Sequence, residues 1–285
     1  MDDPAALSMT KAELPQLSCD FADRYGESWV LMNTTVDQYA ASIVEKYRVI
    51  PDTTSTSHIA ADEVLPLLKQ WGKQYLLGLT LSGAYAKNTA ITLGSHVDVL
   101  IALGPVPGME MKSVFWSLFE YLSERKMRPQ MRDVSIRLES KKLNVDLIPA
   151  RRALSGAGNV LFNKRAGHDV HTDVARHVQL VASSGRQQEI CALKIWRERM
   201  GLEFPSLYLE FTVLHALGGE RFGQLADNVL GLMRYLSGRF EEAVVRDPAN
   251  PQNILSNDLS AEQKKAIAGA ARNALYDENW KKILW

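Results

Sequence analysis

The segment GSHVDV at residues 94–99 places two side chains that could do chemistry on a run rich in β-branched residues. Alternate residues of a strand face the same way, so we expect His96 and Asp98 to share one face. Val97 and Val99 would then be buried on the opposite face. The pattern predicts an imidazole and a carboxylate side by side on a largely buried strand.

A further acidic side chain lies in the apolar segment NVDLIP at residues 144–149. Burying Asp146 in such a run is costly unless its carboxylate meets a cation or hydrogen-bond donors. Two acids on adjacent strands suit a hard divalent cation, because such ions prefer oxygen ligands. Each aspartate taken alone is also consistent with an edge-strand residue that faces water.

A Ser-Gly turn, Ser82-Gly83, follows the apolar run that begins at Tyr75. Such a turn after a strand can present backbone N–H groups and a hydroxyl to a phosphate. Ser-Gly turns are common in proteins, so this one does not identify a phosphate site by itself.

The elements that position these residues fall into a mixed α/β part and a later helical part. The spacing of apolar residues and the turn signals predict helices at 36–47, about 60–75 and 110–125, and strands at 96–103, about 130–138 and 143–149. Beyond about residue 170 the chain reads as entirely helical, with helices near 171–183, 187–200, 206–217, 223–239 and 260–276.

Composition bounds the class of protein. The 285 residues carry 33 Lys and Arg against 33 Asp and Glu, and 46% are hydrophobic. This hydrophobic share can build a sizeable core and excludes disorder throughout the chain. Zero net charge argues against a generally basic nucleic-acid coat protein, although residues 110–152 hold a modest basic excess that could attract an oligonucleotide.

Cysteine usage and the absence of long apolar runs indicate the compartment. Cys19 and Cys191 are too few for a disulfide scaffold, which favours a reducing environment. No apolar run approaches the roughly 18 residues that span a membrane, and the acidic N-terminus does not have the pattern of a signal peptide. We therefore expect a soluble cytoplasmic protein with no membrane partner.

The string SGAYAKNTAITLGSHVDVLIAL, followed later by NVDLIPARR, resembles the polymerase-β-type nucleotidyltransferase superfamily. That superfamily has a Gly-Ser turn, then an Asp-x-Asp strand, then a third Asp on a later strand. The later segments LKIWRER, FPSLYLE and DPANP resemble the helical domain of oligoadenylate synthetases and of bacterial, cGAS-like cyclic-oligonucleotide synthases. The likeness covers roughly residues 60–256, and its pieces occur in the family's order.

The resemblance implies an α+β fold with two lobes. These would be a nucleotidyltransferase lobe at 31–165, with a small mixed sheet, and an all-helical lobe at 166–285, preceded by a polar N-terminal arm at 1–30. The site would lie between the lobes, where ligand pockets are common.

The resemblance also implies roles for particular residues. Asp98 and Asp146 match acids that hold two Mg²⁺ (or Mn²⁺) ions, which activate a hydroxyl and grip the triphosphate. Ser82 and Gly83 match the phosphate-binding turn. Lys194 and Ser206 match residues that hold the triphosphate from the helical side, with Lys194 expected to be open to solvent. Tyr208 could stack on a base, or it could belong to the core of its helix.

His96 departs from the family's pattern, because it stands where the family has the first Asp of Asp-x-Asp. A neutral imidazole offers one nitrogen lone pair and no negative charge, whereas a carboxylate offers two oxygens. Imidazole also suits transition metals better than Mg²⁺. Three interpretations remain: a naturally inactive protein that binds ligands or partners, an inactivated form of a working enzyme, or a working site with a different metal.

The function expected from the resemblance is template-independent transfer of nucleotidyl groups from nucleoside triphosphates to a hydroxyl, with release of pyrophosphate. The products would be short oligonucleotide signals in antiviral defence, and an oligonucleotide could also be the acceptor. We expect this chain to be weak or inactive because of His96. The alternative is a catalytically inactive protein of the same fold that senses a nucleotide or oligonucleotide or serves as a scaffold. The sequence does not predict the oligomeric state.

Overall fold

A computed structural model describes residues 36–49, 56–94, 96–105, 109–139, 144–153, 158–218, 225–276 and 280–285. The polar N-terminal arm predicted at 1–30 lies outside these residues. Among the residues described, no helix is both long and apolar enough to cross a membrane.

The chain divides into two compact units. The sheet unit comprises residues 49–183 and 248–251, and the helical unit comprises the described part of 1–48 together with 184–247 and 252–285. The sequence analysis placed this boundary at residue 166 and assigned residues 31–48 to the nucleotidyltransferase lobe. The sheet instead continues through 159–172, and the helix at 36–47 packs with later helices.

A seven-stranded mixed sheet organises the sheet unit. Its strands are β1 (Leu76–Ser82), β2 (His96–Leu103), β3 (Gln130–Met131), β4 (Ile136–Leu138), β5 (Asn144–Arg152), β6 (Asn159–Asn163) and β7 (His168–Thr172). The main order is β1-β2-β5-β4-β3, and β6 pairs with the far end of β5 and with β7. The pair β2/β5 is parallel, and the other pairs are antiparallel.

The first helix of the chain, α1 (Val36–Tyr47), belongs to the helical unit. The helices of the sheet unit cover or flank the sheet and are α2 (Thr56–Gly72), α3 (Gly83–Ala86), α4 (Met111–Glu124) and α5 (Val174–Ala182). Val97, Val99 and Ile101 of β2 are fully buried and pack in one core with Phe115 and Leu118 of α4. This alternation leaves the neighbouring positions of β2 to the opposite face of the sheet. The core therefore fixes which side chains of β2 remain available for chemistry.

The helical unit consists of α1 (Val36–Tyr47), α6 (Gln187–Met200), α7 (Ser206–Ala216), α8 (Leu225–Gly238), α9 (Ala261–Tyr276) and α10 (Trp280–Ile283). A short two-stranded ribbon, Arg246–Asp247 with Asn250–Ile254, precedes α9. Helix α6 is buried continuously from Glu189 to Trp196, so it has no solvent-facing stripe over two turns. The charged side chains in that stretch, Glu189 and Lys194, are each paired with a side chain of opposite charge.

The predicted mixed α+β class is confirmed by this architecture. The helix predicted at 36–47 is present with those bounds, and the helices predicted near 187–200, 206–217 and 260–276 are present within a residue or so. The prediction that everything beyond about 170 is helical is wrong. Strand β7 occupies His168–Thr172, and the following helix begins only at Val174, where Asp173 caps it by accepting a hydrogen bond from the Arg176 amide.

Candidate active site

The parallel pairing of β2 with β5 places the two predicted acids side by side. Asp98 lies directly opposite Asp146 in the register, and His96 lies opposite Asn144. The odd-numbered positions of β2 face the core, so His96 and Asp98 share the other face, as expected from their spacing. Asp146 is buried, whereas His96 and Asp98 are half-buried. The structure therefore brings an imidazole and two carboxylates into one cluster.

His96 lies between the two carboxylates. Its Nε2 atom is 3.5 Å from Asp98 Oδ1 and 3.5 Å from Asp146 Oδ2. Burial lowers the pKa of His96, but the hydrogen bond to Asp98 and the charges of both aspartates outweigh burial. The pKa of His96 is therefore raised above its ordinary value of 6.5, because the two carboxylates stabilise the protonated ring.

Arg137 is a member of this cluster that the sequence analysis did not identify. It lies on β4, directly opposite Asp146 in the antiparallel pairing with β5. Its Nε donates to Asp146 Oδ1 at 2.6 Å and its Nη2 donates to Asp146 Oδ2 at 2.8 Å. The hydrogen bonds to Asp146 raise the pKa of Arg137, so the guanidinium remains charged. Asp146 thus meets the cation that its burial requires.

The Ser82-Gly83 turn lies against the other aspartate. Ser82 pairs with Asp98 across β1 and β2, and its buried hydroxyl donates to the Asp98 carbonyl oxygen at 3.3 Å. Gly83 has a φ of +59°, and a Cβ atom there would overlap the Asp98 carboxylate. Only glycine satisfies both constraints, because a side chain is disfavoured in this backbone region even without a steric clash. The conformation of the Ser82-Gly83 turn and the position of the Asp98 carboxylate therefore depend on each other.

Replacing Gly83 with alanine is expected to lower the free energy of unfolding by about 2 kcal/mol, from backbone strain together with displacement of the Asp98 carboxylate. Two matched glycines separate these causes in denaturant unfolding. Gly167 has a φ of +78° with open space around its Cβ position, so its alanine variant reports backbone strain alone. Gly78 has open space and no such φ, so its variant should change stability least. Equal losses at Gly83 and Gly167 would contradict the close approach to Asp98.

On the helical unit, Lys194 is buried. Its Nζ donates to Glu210 Oε1 at 2.7 Å, and the two side chains are only 3% and 1% exposed. The expectation that Lys194 is open to solvent is wrong, because α6 is buried on all sides at this position. Its role in holding a triphosphate remains a prediction, and its observed partner is a carboxylate of α7.

Ser206 and Tyr208 lie at the start of α7 and differ in exposure. Ser206 is exposed, and its hydroxyl accepts a hydrogen bond from Arg197 Nη1 at 3.0 Å. Arg197 is thus a second cationic residue, after Arg137, that the sequence analysis did not identify. Tyr208 is fully buried, with its ring stacked on Phe240 at 5.4 Å and edge-on to Phe204 at 5.2 Å. The structure therefore places Tyr208 in the core of the helical unit, and no face of its ring is free for a base.

The cluster of His96, Asp98 and Asp146 could hold one divalent cation. A ligand atom from each of the three residues lies within 4.8 Å of the others. One imidazole nitrogen with carboxylate oxygens suits a transition metal such as Mn²⁺ or Zn²⁺ better than Mg²⁺. Both oxygens of Asp146 already accept hydrogen bonds from Arg137. The residues present therefore do not fit the pair of Mg²⁺ ions that the family's pattern implies.

No protein-family model matches this chain, and no curated protein matches its sequence. Solved structures do match its fold. The chain is similar to CdnC of E. coli MS115-1 solved with ATP, with a TM-score of 0.70 and 17% identity over 87% of this chain and 96% of that one. It is also similar to the CD-NTase CdnG of Bradyrhizobium diazoefficiens in complex with GTP, with a TM-score of 0.69 and 13% identity over 88% and 95%.

A third similar structure comes from outside the CD-NTases. The Cid1 poly(U) polymerase, as an H336N mutant bound to MgATP, matches with a TM-score of 0.58 and 13% identity over 84% of this chain and 92% of that one. These matches extend over nearly the whole of each compared chain, so they concern the fold as a whole. The chain therefore has the fold that these CD-NTases and the Cid1 poly(U) polymerase share.

Proposed function

We propose that this protein is a nucleotidyltransferase of the template-independent kind, whose reaction takes nucleoside triphosphates and joins nucleotidyl groups to a hydroxyl with release of pyrophosphate. We further propose that this chain binds the triphosphates but carries out the transfer weakly or not at all. The observation that carries the proposal is the pairing of Asp98 with Asp146 on adjacent parallel strands, with the Ser82-Gly83 turn against Asp98. Acids beside a phosphate-binding turn are the arrangement that metal-assisted attack on a phosphate needs.

The proposal includes the class of substrate and product. Similar structures were solved with ATP, with GTP, and, for the CdnE cyclic dinucleotide synthase of Elizabethkingia meningoseptica, with GTP and Apcpp. We therefore expect purine nucleoside triphosphates to bind here and short oligonucleotide signals to be the products of a working site, acting in antiviral defence in the cytoplasm. This part of the proposal rests on likeness of fold.

Transfer by this chain should be weak or absent because of His96. Two carboxylates face a guanidinium and an imidazole that brings no negative charge, so the cluster attracts divalent cations less strongly than three unpaired carboxylates would. When bound, such cations supply charge neutralisation at the phosphate and activation of the hydroxyl. The residues of this chain would bind and orient the triphosphate, but they do not themselves neutralise the charge on the phosphate or activate the hydroxyl.

A second candidate function is a catalytically inactive nucleotide sensor or scaffold. The bidentate pairing of Arg137 with Asp146 favours it, because the third acid of the pattern is already neutralised within the chain. Such a protein would bind a triphosphate or oligonucleotide tightly without turning it over.

The test incubates the chain with each labelled ribo- and deoxyribonucleoside triphosphate, with Mg²⁺ or Mn²⁺, and follows binding and product formation together. We expect bound triphosphate and little or no oligonucleotide product. Asp98→Asn should weaken cation-dependent binding by at least about tenfold, the usual scale for disturbing a metal site. Asp133→Asn is the matched control, because Asp133 is half-exposed and pairs with Arg165 elsewhere in the sheet unit.

Two outcomes would contradict the proposal. If the folded chain binds none of the triphosphates, the nucleotidyltransferase proposal is wrong, and only an oligonucleotide sensor or a scaffold is left of the second candidate. If Asp98→Asn and Asp133→Asn have the same effect, triphosphate binds at another place. Rapid product formation by the unaltered chain would show instead that His96 is a competent part of an unusual site.

A further inference from the structure

The guanidinium of Arg137 occupies both carboxylate oxygens of Asp146. Its Nε and Nη2 atoms donate to Oδ1 and Oδ2 at 2.6 and 2.8 Å, in the fork geometry that arginine alone provides. The two side chains are 19% and 6% exposed, so water screens the pair only weakly. The ion pair is therefore a largely buried part of the sheet and not an exposed surface pair.

Strand register positions this pair. Arg137 on β4 and Asp146 on β5 are direct antiparallel partners, and Asp146 is at the same time the direct parallel partner of Asp98 on β2. Asp146 thus lies between a cation on one side and the His96–Asp98 pair on the other. His96 Nε2 approaches the Oδ2 atom of Asp146 to 3.5 Å. Two cation-forming side chains therefore converge on one carboxylate.

We propose that Arg137 is an internal counter-cation that occupies Asp146 in place of a divalent metal ion and so keeps that acid out of metal binding. The inference rests on the proposed function for the identity of Asp146 as a metal position, and it assigns to Arg137 a role separate from the substitution at His96. A metal ion bound to Asp146 would stand next to a fixed positive charge in a weakly screened place, and the like charges would repel. Divalent cations should therefore bind this chain weakly for two separate reasons.

The proposal differs from a purely structural role for Arg137 in one measurable respect. If the guanidinium stands in for a metal, a metal should be able to stand in for the guanidinium. Removal of Arg137 leaves Asp146 buried without that partner, which destabilises the fold. A divalent cation that then binds Asp146 should restore stability, because a ligand that binds only the folded state raises its melting temperature.

The experiment uses the full chain, Mn²⁺ alone as the probe, and the variants Arg137→Gln, Arg137→Lys and Arg132→Gln. Mn²⁺ affinity is measured by electron paramagnetic resonance and stability by thermal unfolding with and without Mn²⁺. Arg132→Gln is the matched control, because it removes the same charge from an exposed side chain five residues away. We expect Arg137→Gln to bind Mn²⁺ about tenfold more tightly than the unaltered chain. It should melt lower without Mn²⁺ and recover most of that loss with it.

Arg137→Lys keeps the charge but loses the fork, so its Mn²⁺ affinity should lie between those of the unaltered chain and Arg137→Gln. Unchanged Mn²⁺ affinity in Arg137→Gln would overturn the proposal, and so would an equal gain in Arg132→Gln, which would indicate net charge alone. If Arg137→Gln does not fold even with Mn²⁺ present, Arg137→Lys decides, and an affinity equal to that of the unaltered chain overturns the proposal. Because the probe is the metal alone, failure to bind triphosphates would refute the proposed function without producing any of these results.

Discussion

Lys194→Met is expected to lower the free energy of unfolding by about 3–5 kcal/mol, the usual cost of leaving one member of a buried ion pair behind. Lys194 and Glu210 are 3% and 1% exposed and join α6 to α7 through a 2.7 Å hydrogen bond. Methionine has nearly the same length as lysine, so the variant removes the charge with little loss of packing. The measurement is equilibrium unfolding in denaturant.

The double variant Lys194→Met with Glu210→Gln is the internal control. Removing the second charge should restore much of the lost stability, because an uncharged amide costs less to bury than a carboxylate that has lost its ammonium partner. Arg165→Met supplies the exposed comparison, since the Arg165–Asp133 pair is 52% and 49% exposed and should change stability by less than about 1 kcal/mol. A Lys194→Met protein as stable as the unaltered chain would show that the pair does not hold α6 against α7.

The buried ion pair of Lys194 limits what a binding measurement on a Lys194 variant can show. A lysine held by a buried carboxylate contributes to the fold, so a loss of triphosphate binding in a Lys194 variant has meaning only for protein that remains folded. Arg197, which donates to the exposed hydroxyl of Ser206, is the cation next to that predicted triphosphate residue. Binding measurements on the helical unit should therefore include Arg197 as well as Lys194.

The cluster on the sheet could be predicted in part because strand periodicity is a local property. The alternation along β2 is visible in the residues themselves, so the shared face of His96 and Asp98 follows from their spacing alone. The resemblance predicts that Asp146 lies beside Asp98, because the two residues match acids that hold the same metal ions in the family. The Ser82-Gly83 turn was found in the same way, but its close approach to Asp98 requires coordinates.

Other parts of the site could not be read from one sequence. The partner of Asp146 depends on the antiparallel register of β4 with β5, and shifting that register by one residue would turn Arg137 to the other face. The burial of Lys194 could not be predicted from the sequence of helix α6 either. Its residues from Glu189 to Trp196 are buried on every side, so an amphipathic pattern that would mark Lys194 as internal or external is lacking.

His96→Asp is expected to create nucleotidyl transfer or to raise it by about a hundredfold or more, equivalent to about 3 kcal/mol of barrier. The substitution adds one negative charge and two oxygens at the point from which His96 now approaches Asp98 and Asp146 at 3.5 Å. It also removes a side chain whose raised pKa favours positive charge beside the acids. Both changes favour cation binding and stabilisation of charge on the reacting phosphate.

The most direct test of the proposed nucleotidyl transfer is pyrophosphate release by the unaltered chain, by His96→Asp alone and combined with Arg137→Gln, and by His96→Asp combined with Asp98→Asn. Each protein is given all ribo- and deoxyribonucleoside triphosphates, with Mg²⁺ and separately with Mn²⁺, after its fold is verified by thermal unfolding. We expect release by His96→Asp with and without Arg137→Gln, and much less by the unaltered chain and by the protein that also carries Asp98→Asn. If His96→Asp is folded but releases no pyrophosphate from any triphosphate, either alone or combined with Arg137→Gln, nucleotidyl transfer at this site is refuted and the inactive nucleotide-binding protein is favoured.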